Sequence, residues 1–462
     1  MKNIKMLLTL APVLFLVAAC GEISSSSSES SSVNETSSSE ASSSEASSSE
    51  GIVHVITTEA HLAAIANHLD EDYTLGANIT LSGAWTPIGT QANPFTGTFD
   101  GMGYSINGLT MTAESIVYES VEETVATVTT LKGVGYLGLF GVNAGAITNM
   151  GVYGVDFTGT GTFDGAFSPD EFRIHVGALA GINLGTINHV NSTGNFSFLS
   201  TDARVRAGGL VGLNSNGTIQ MSESSVNISV TTNLNKVATG GLVGETEGTT
   251  ALLSRVKATG QVSATMNSAD PLLECQAYAG GVVAVQQGGT VNDAFASGSV
   301  TSSINGAKPS YAGGVVGTFD NEFDDLVLSN AFASGTVSAT SITNPKAYAG
   351  GILGRYEDKG FGHVIAVSNL LSGSAVEAHT TTATKAYSGT LISDFNLTNS
   401  TLTNAYFSGT ATFTGKSNGT LDLVGAAQTT LDVMTVTTMG WPDYWTIEAG
   451  VVSLMIPMLS NV

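Results

Sequence analysis

A short glycine-bracketed core recurs along most of this 462-residue chain, and that recurrence limits the folds open to it more than any other feature. Gly138-Leu139-Phe140-Gly141 returns as Gly177-Ala178-Leu179-Ala180-Gly181, Gly208-Gly209-Leu210-Val211-Gly212 and Gly240-Gly241-Leu242-Val243-Gly244. Further copies stand at Gly280-Gly281-Val282-Val283-Ala284, Gly313-Gly314-Val315-Val316-Gly317 and Gly350-Gly351-Ile352-Leu353-Gly354, with a worn one at Ser388-Gly389-Thr390-Leu391. Successive copies lie 31 to 40 residues apart. Between them runs a second signature, Asn292-Asp293-Ala294-Phe295-Ala296-Ser297-Gly298, repeated at Asn330-Ala331-Phe332-Ala333-Ser334-Gly335 and Asn404-Ala405-Tyr406-Phe407-Ser408-Gly409.

Each copy supplies one apolar residue at the same place: Leu139, Leu179, Leu210, Leu242, Val282, Val315, Ile352 and Leu391. One repeat alone cannot bury that residue, but stacked neighbours make a continuous dry column, each burial contributing about 1.5–3 kcal/mol. Flanking glycines admit positive φ at corners and close approach of neighbouring repeats. Asn149, Asn330, Asn369 and Asn404 recur near the next corner, where stacked amides can hydrogen-bond along the axis. The expected fold is all-β, a right-handed parallel β-helix (β-solenoid). A β-propeller has a similar period but fits less well, for want of its aromatic signature and regular blade length. Leu62, Ile65 and Leu69 fall at helical spacing behind Thr58, a candidate N-cap, so Thr58 to Asp70 predicts a short amphipathic capping helix over the open first strands. His61 and His68 fall on it as surface groups. The stretch Trp441 to Leu459 is the candidate cap at the other end.

Gly-Leu-x-Gly cores followed by Asn-x-Gly-x-Ile, as at Asn143-Ala144-Gly145-Ala146-Ile147 and Asn183-Leu184-Gly185-Thr186-Ile187, resemble the GLUG repeat of bacterial surface proteins. The opening, from Tyr73-Thr74-Leu75 through Trp85-Thr86-Pro87-Ile88-Gly89 to Phe95-Thr96-Gly97-Thr98-Phe99-Asp100-Gly101, is similar to the same family, as is the ending at Gly440-Trp441 and Trp445-Thr446-Ile447. The resemblance covers about residues 56 to 450. It implies a right-handed β-helix of the kind used in surface adhesins and filamentous-haemagglutinin-like proteins. Several later repeats lack the Asn-x-Gly step, which loosens the register there.

Lys2 and Lys5 precede an apolar run from Met6 to Ala19, too short to span a bilayer and ending in small residues, so it reads as an export signal. Val17-Ala18-Ala19-Cys20 resembles the lipobox of bacterial lipoproteins, which implies lipidation of Cys20 and anchorage to the cell envelope; an ordinary secretory signal is the alternative. Two or three acyl chains hold firmly, at about 0.8 kcal/mol per buried methylene. Gly21, next in line, resembles the residue of lipoproteins sent to the outer membrane. Ser24 to Glu50 holds 17 serines and one large apolar residue, Val33, and cannot offset its ordering entropy by burial. As a flexible tether of 27 residues it reaches roughly 30 Å. The expected organisation is a signal peptide (1–19), a lipidated Cys20 with serine-rich linker (20–50), an N-terminal cap and first coils (51–110), the repeat solenoid (111–420) and a C-terminal cap (421–462).

Of 38 acidic and 15 basic residues, six and two precede Gly51, leaving 32 and 13 and a net charge of −19 on the body. That balance opposes nucleic acid and anionic lipid as partners. Beyond Cys20 only Cys275 remains, so no intrachain disulfide is expected, and Cys275 reads as buried or inert. His-Glu-x-x-His, Cys-x-x-Cys and Gly-x-Ser-x-Gly are missing from the sequence. Gly409 to Ser417 imitates a phosphate loop with one residue too many and no strand–loop–helix context.

Two groups remain. Asp320, Glu322, Asp324 and Asp325 follow a core motif and offer oxygens to Ca²⁺; a solvated acidic loop is the alternative. No other cofactor is expected. Two residues before the first core glycine stands a column of His175, Arg206, Ala238, Tyr278, Tyr311, Tyr348 and Tyr387. Strict alternation would place it inside, yet an unpaired Arg206 there is costly, and the Gly-Gly bend can reset the alternation. An outward row follows, with Tyr278, Tyr311, Tyr348 and Tyr387 an exposed ligand-binding stripe for glycans or surface proteins; core packing under a bent corner is the alternative. The expectation is a non-catalytic, lipid-anchored surface protein for adhesion or matrix and glycan binding, not an enzyme. A polysaccharide-active lyase or glycosidase on a β-helix is the second reading, since paired carboxylates distant in sequence are invisible. An ice- or crystal-binding face of threonines around Thr158 and Thr160 is a remote third.

Overall fold

The computed structural model describes residues 53–459, apart from 126–127, 162–171, 234–235, 269–274, 307, 321–323, 344–345, 358–361, 381–384, 395–399, 415, 418–425, 429–433 and 458. Cys20, the export signal, the linker and Glu322 lie outside the described residues. The molecule is all-β, its strands gathered into sheets that pair parallel from one repeat to the next.

Each repeat visits three sheets in the same order. Val211–Ser215 lies in the third sheet, Thr218–Gln220 and Glu223–Thr232 in the broad first sheet, and Lys236–Gly240 in the second; Val243–Glu247 then returns to the third. Equivalent strands pair in register, as in Val211↔Val243 and Val243↔Val283. The strands form because side chains alternate between a dry and a wet face. Glu223–Thr232 is buried at every second position, with Val226, Ile228 and Val230 inside.

The core runs through the interior of all three sheets and includes Leu139, Leu179, Leu210, Leu242, Val282, Val315, Ile352 and Leu391, each 0–1% exposed. Main-chain bonds link them in sequence: the Leu179 amide donates to Leu210, Leu210 to Leu242, Leu242 to Val282, and so on to Ile352 and Leu391. The paired glycines beside the column serve close approach rather than positive φ. A β-carbon on Gly240 or Gly280 would overlap the carbonyl oxygen three residues on in its own repeat, whereas one on Gly281 or Gly314 would overlap that of the next repeat.

Positive φ recurs instead at one equivalent position of the first sheet from repeat to repeat: Asn149, His189, Met221, Arg255, Asp293, Asn330, Asn369 and Asn404, at 45–59°. Amide ladders brace these bends. Asn404 Nδ2 donates to Asn369 Oδ1 at 2.9 Å, and Asn369 Nδ2 to Asn330 Oδ1 at 2.9 Å. A second, buried ladder joins Asn143, Asn183 and Asn214 at 2.8 and 2.7 Å.

At the N-terminal end, Thr58 caps the helix Glu59–Ala64 by accepting from the His61 amide, and a 3₁₀ turn Ile65–Asn67 follows. The helix is shorter than its spacing predicts, but Leu62 and Ile65 are fully buried, and His61 and His68 are exposed. Two departures break the pattern. Val117–Val125 and Val128–Leu137 form an antiparallel hairpin at the edge of the second sheet. Trp441 to Leu459 does not sit as the end cap its position suggests: with the short helix Val436–Met439 and the hairpin Trp445–Glu448/Val451–Leu454, it packs laterally on Phe295, Phe332 and Leu371. Among the described residues no helix is long and apolar enough to cross a membrane.

Candidate functional site

The outer faces of the second and third sheets meet at the Gly-Gly corner and close an angle on each other. On the second sheet, Ile174 and Val176 point into the core, so His175 between them points out, as does Arg206 between Val205 and Ala207. The column Tyr136, His175, Arg206, Ala238, Tyr278, Tyr311, Tyr348, Tyr387 is in direct register, one residue per strand. Facing it on the third sheet runs Val142, Ile182, Leu213, Glu245, Val285, Thr318, Arg355.

The tyrosine row lies outside the core, but it is not the exposed stripe expected from sequence. Tyr311 and Tyr348 are each 2% exposed, and Tyr278 and Tyr387 are half-buried. Their rings stack on one another at 5.0, 5.4 and 4.8 Å between centroids and within 13° of parallel. Parallel in-register strands set that spacing, so the ring faces are spent on each other. Arg355 covers the row from the third sheet, 4.7 Å from the Tyr348 centroid, and donates to the Tyr311 hydroxyl at 3.3 Å. Burial pushes the Tyr278 and Tyr348 hydroxyls well above their ordinary range.

Next to the tyrosines sits a buried ion cluster. Arg206 donates through Nε and Nη2 to the two oxygens of Glu245, both at 2.7 Å, and Arg204 Nη2 adds a contact at 3.0 Å. Glu245 is fully buried. Burial alone would raise its pKa, but the charges of Arg206 and Arg204 prevail and hold it at about 2. Arg206 is therefore paired across the angle. Sequence reasoning missed Glu245, although an acid in the Gly-Glu-Thr-Glu version of an otherwise apolar motif, one repeat after Arg206, was a visible signal.

Where the column begins, the angle opens into a concavity of about 190 Å³ bounded by Lys132, Arg173, His175 and Arg206 on one sheet and Val142, Ile182, Leu213 and Ser215 on the other. Val134, Tyr136, Val142, Ile182 and Leu213 form an apolar cluster of their own, separate from the core. His175 is 2% exposed, and its Nδ1 has no hydrogen-bond partner. Burial, then the charges of Arg206 and Arg173, push its pKa well down, so the ring is neutral. The Tyr136 hydroxyl donates to Glu119 of the edge hairpin at 2.9 Å.

Three of the four acidic residues lie among the described residues. Asp320 ends a third-sheet strand, Asp324 is half-buried, and exposed Asp325 accepts from the Val364 amide at 2.7 Å. Among the described residues no group of three or more His, Cys, Asp or Glu side chains is placed to hold a metal ion. Cys275 is buried.

No family model and no curated protein matches the chain. Among solved structures it is similar to one described as "a putative immunoglobulin A1 protease from Bacteroides ovatus", at 15% identity and a TM-score of 0.40, over 87% of this chain and 92% of that one. It is also similar to one described as an IgA1 protease, at 16% identity and a TM-score of 0.42, over 88% of this chain, which spans 25% of the other. These findings correct the expectation of a non-catalytic adhesion protein and the statement that the chain is not an enzyme: the similar structures carry the names of proteases, and both expectations are set aside. TM-scores of this size carry no activity over to this chain.

Proposed function

We propose that the three sheets are the faces of one right-handed parallel β-solenoid with GLUG-type repeats, and that the angle between its second and third faces binds an extended polypeptide of mixed acidic and aliphatic character. One observation carries the reading. Of the thirteen basic residues after Gly51, eight lie on the strands of the second sheet: Lys132, Arg173, Arg204, Arg206, Lys236, Lys346, Lys385 and Lys416. The nine strands of that sheet that pair parallel contain no aspartate or glutamate, in a chain whose net charge is −23. Arg204 and Arg206 are engaged by Glu245; the other six extend a basic track along the sheet, and such a track on an acidic body focuses anions onto one face.

An anionic glycan would share the charge but not the floor. Glycan sites present open aromatic faces, whereas these tyrosines are stacked shut and the open part of the angle is floored by Val142, Ile182 and Leu213. Aliphatic side chains beside carboxylates are a polypeptide's chemistry. We place the protein in the cell envelope, held by lipid on Cys20, with the serine-rich segment as its tether.

The test is fluorescence anisotropy with the full chain in detergent. A labelled peptide alternating leucine and glutamate binds, more weakly as salt rises; its leucine–lysine counterpart does not. Binding of polygalacturonate without binding of the acidic peptide would overturn the assignment.

A further inference from the structure

We infer that the concavity beside His175 receives the free carboxyl terminus of a polypeptide ending in an aliphatic residue. This deepens the polypeptide-binding reading and rests on it. Three observations converge. The floor is aliphatic, made by Val134, Val142, Ile182 and Leu213, which pack with each other and not with the core. One wall is basic, carrying Lys132, Arg173 and Arg206, the last of them bonded to Glu245, with the Glu247 carboxylate at the rim. Between floor and wall sits the imidazole of His175, whose buried Nδ1 makes no hydrogen bond.

A buried polar atom without a partner is costly, and a structure that keeps one beside an opening gains when a ligand completes it. At about 190 Å³ the space admits one residue, not a segment. That residue must bring apolar bulk to the floor and negative charge to the wall. A glutamate side chain brings the charge without the bulk, and an internal leucine the bulk without the charge. A leucine or valine at a chain end brings both, its carboxylate facing the basic wall and its own polar backbone within reach of His175. Charge-assisted bonds of that kind are the stronger class, and capture of chain termini is a recurrent mode of recognition.

The experiment compares two labelled leucine–glutamate peptides of one sequence, ending in leucine as the free acid or as the amide, on the full chain in detergent. Amidation weakens binding about tenfold or more. N-acetyl-leucine, but not its amide, competes and shifts the ring-nitrogen NMR signals of His175, assigned from their loss in His175→Gln. Ser215→Trp, at the half-buried rim, fills the space and abolishes competition by N-acetyl-leucine, with far-UV circular dichroism and Tm unchanged as the check that the fold is intact. Equal binding of acid and amide, or no change at His175, overturns the terminus assignment while the basic face still binds peptide. Failure of both peptides to bind overturns the broader reading as well.

Discussion

Burial strips water from the Glu245 carboxylate, and bonds from Arg206 and Arg204 replace it. Breaking a buried pair by removing one partner costs about 3–5 kcal/mol, because the other charge is left stranded. Glu245→Gln is therefore expected to lower stability by about that amount, read as a drop in Tm. The pH dependence has a definite sign. The folded pKa, about 2, lies below the ordinary 4.5, so the stabilisation is present above the ordinary value and is lost as pH falls through the folded one. The loss of Tm between pH 4.5 and 2 should be smaller in Glu245→Gln; an equal loss in both proteins would place the effect elsewhere. The cluster also shows where residues were legible in the sequence. Asn149, Asn330, Asn369 and Asn404 were legible as corner residues whose amides stack; that they hold positive φ, as do His189, Met221, Arg255 and Asp293 at the same place, was not. The tyrosine column was readable as a row, but its burial was not, since that depends on Arg355 in a different sheet.

The C-terminal segment shows what element-scale reading misses. Its place after the last repeat marked it as a cap, but nothing in repeat phasing says which surface it covers. Two residues of its floor, Phe295 and Phe332, belong to the second sequence signature, which served only as a marker of period, and Leu371 takes the equivalent place on the next strand. Asp293 is the latch: Oδ1 accepts from Trp445 Nε1 at 3.0 Å and Oδ2 from the Tyr444 hydroxyl at 2.7 Å, while Arg255 lies 4.4 Å from the Tyr444 ring centroid and donates to the Met455 carbonyl at 2.7 Å. Asp293→Asn keeps a residue tolerant of positive φ but removes one acceptor and the charge. The segment should loosen by about 1–3 kcal/mol, with red-shifted tryptophan emission and earlier proteolysis between Trp441 and Leu459, while far-UV circular dichroism holds. Unchanged emission and unchanged proteolysis would mean that the apolar floor alone retains the segment.

At the scale of the molecule, the repeats and charge were legible early because both are sums over many residues, whereas the angle between sheets is a product of closure and is written at no single position. The same sums bear on the anchor. A body of net charge −19 is repelled by anionic headgroups, but only within a screening length of about 8 Å at physiological salt. A flexible 27-residue segment has a reach of roughly 30 Å, more than that screening length, so under the proposed anchoring the acidic surface would cost little and lipid would carry the attachment. One acyl chain holds only marginally, so the proposal requires modification at Cys20 itself. Cys20→Ala is expected to abolish labelling by a palmitate analogue and to move the protein from the membrane pellet to the soluble fraction. If the label persists, or if an unlabelled variant still sediments with membranes in high salt, something other than lipid on Cys20 holds the protein there.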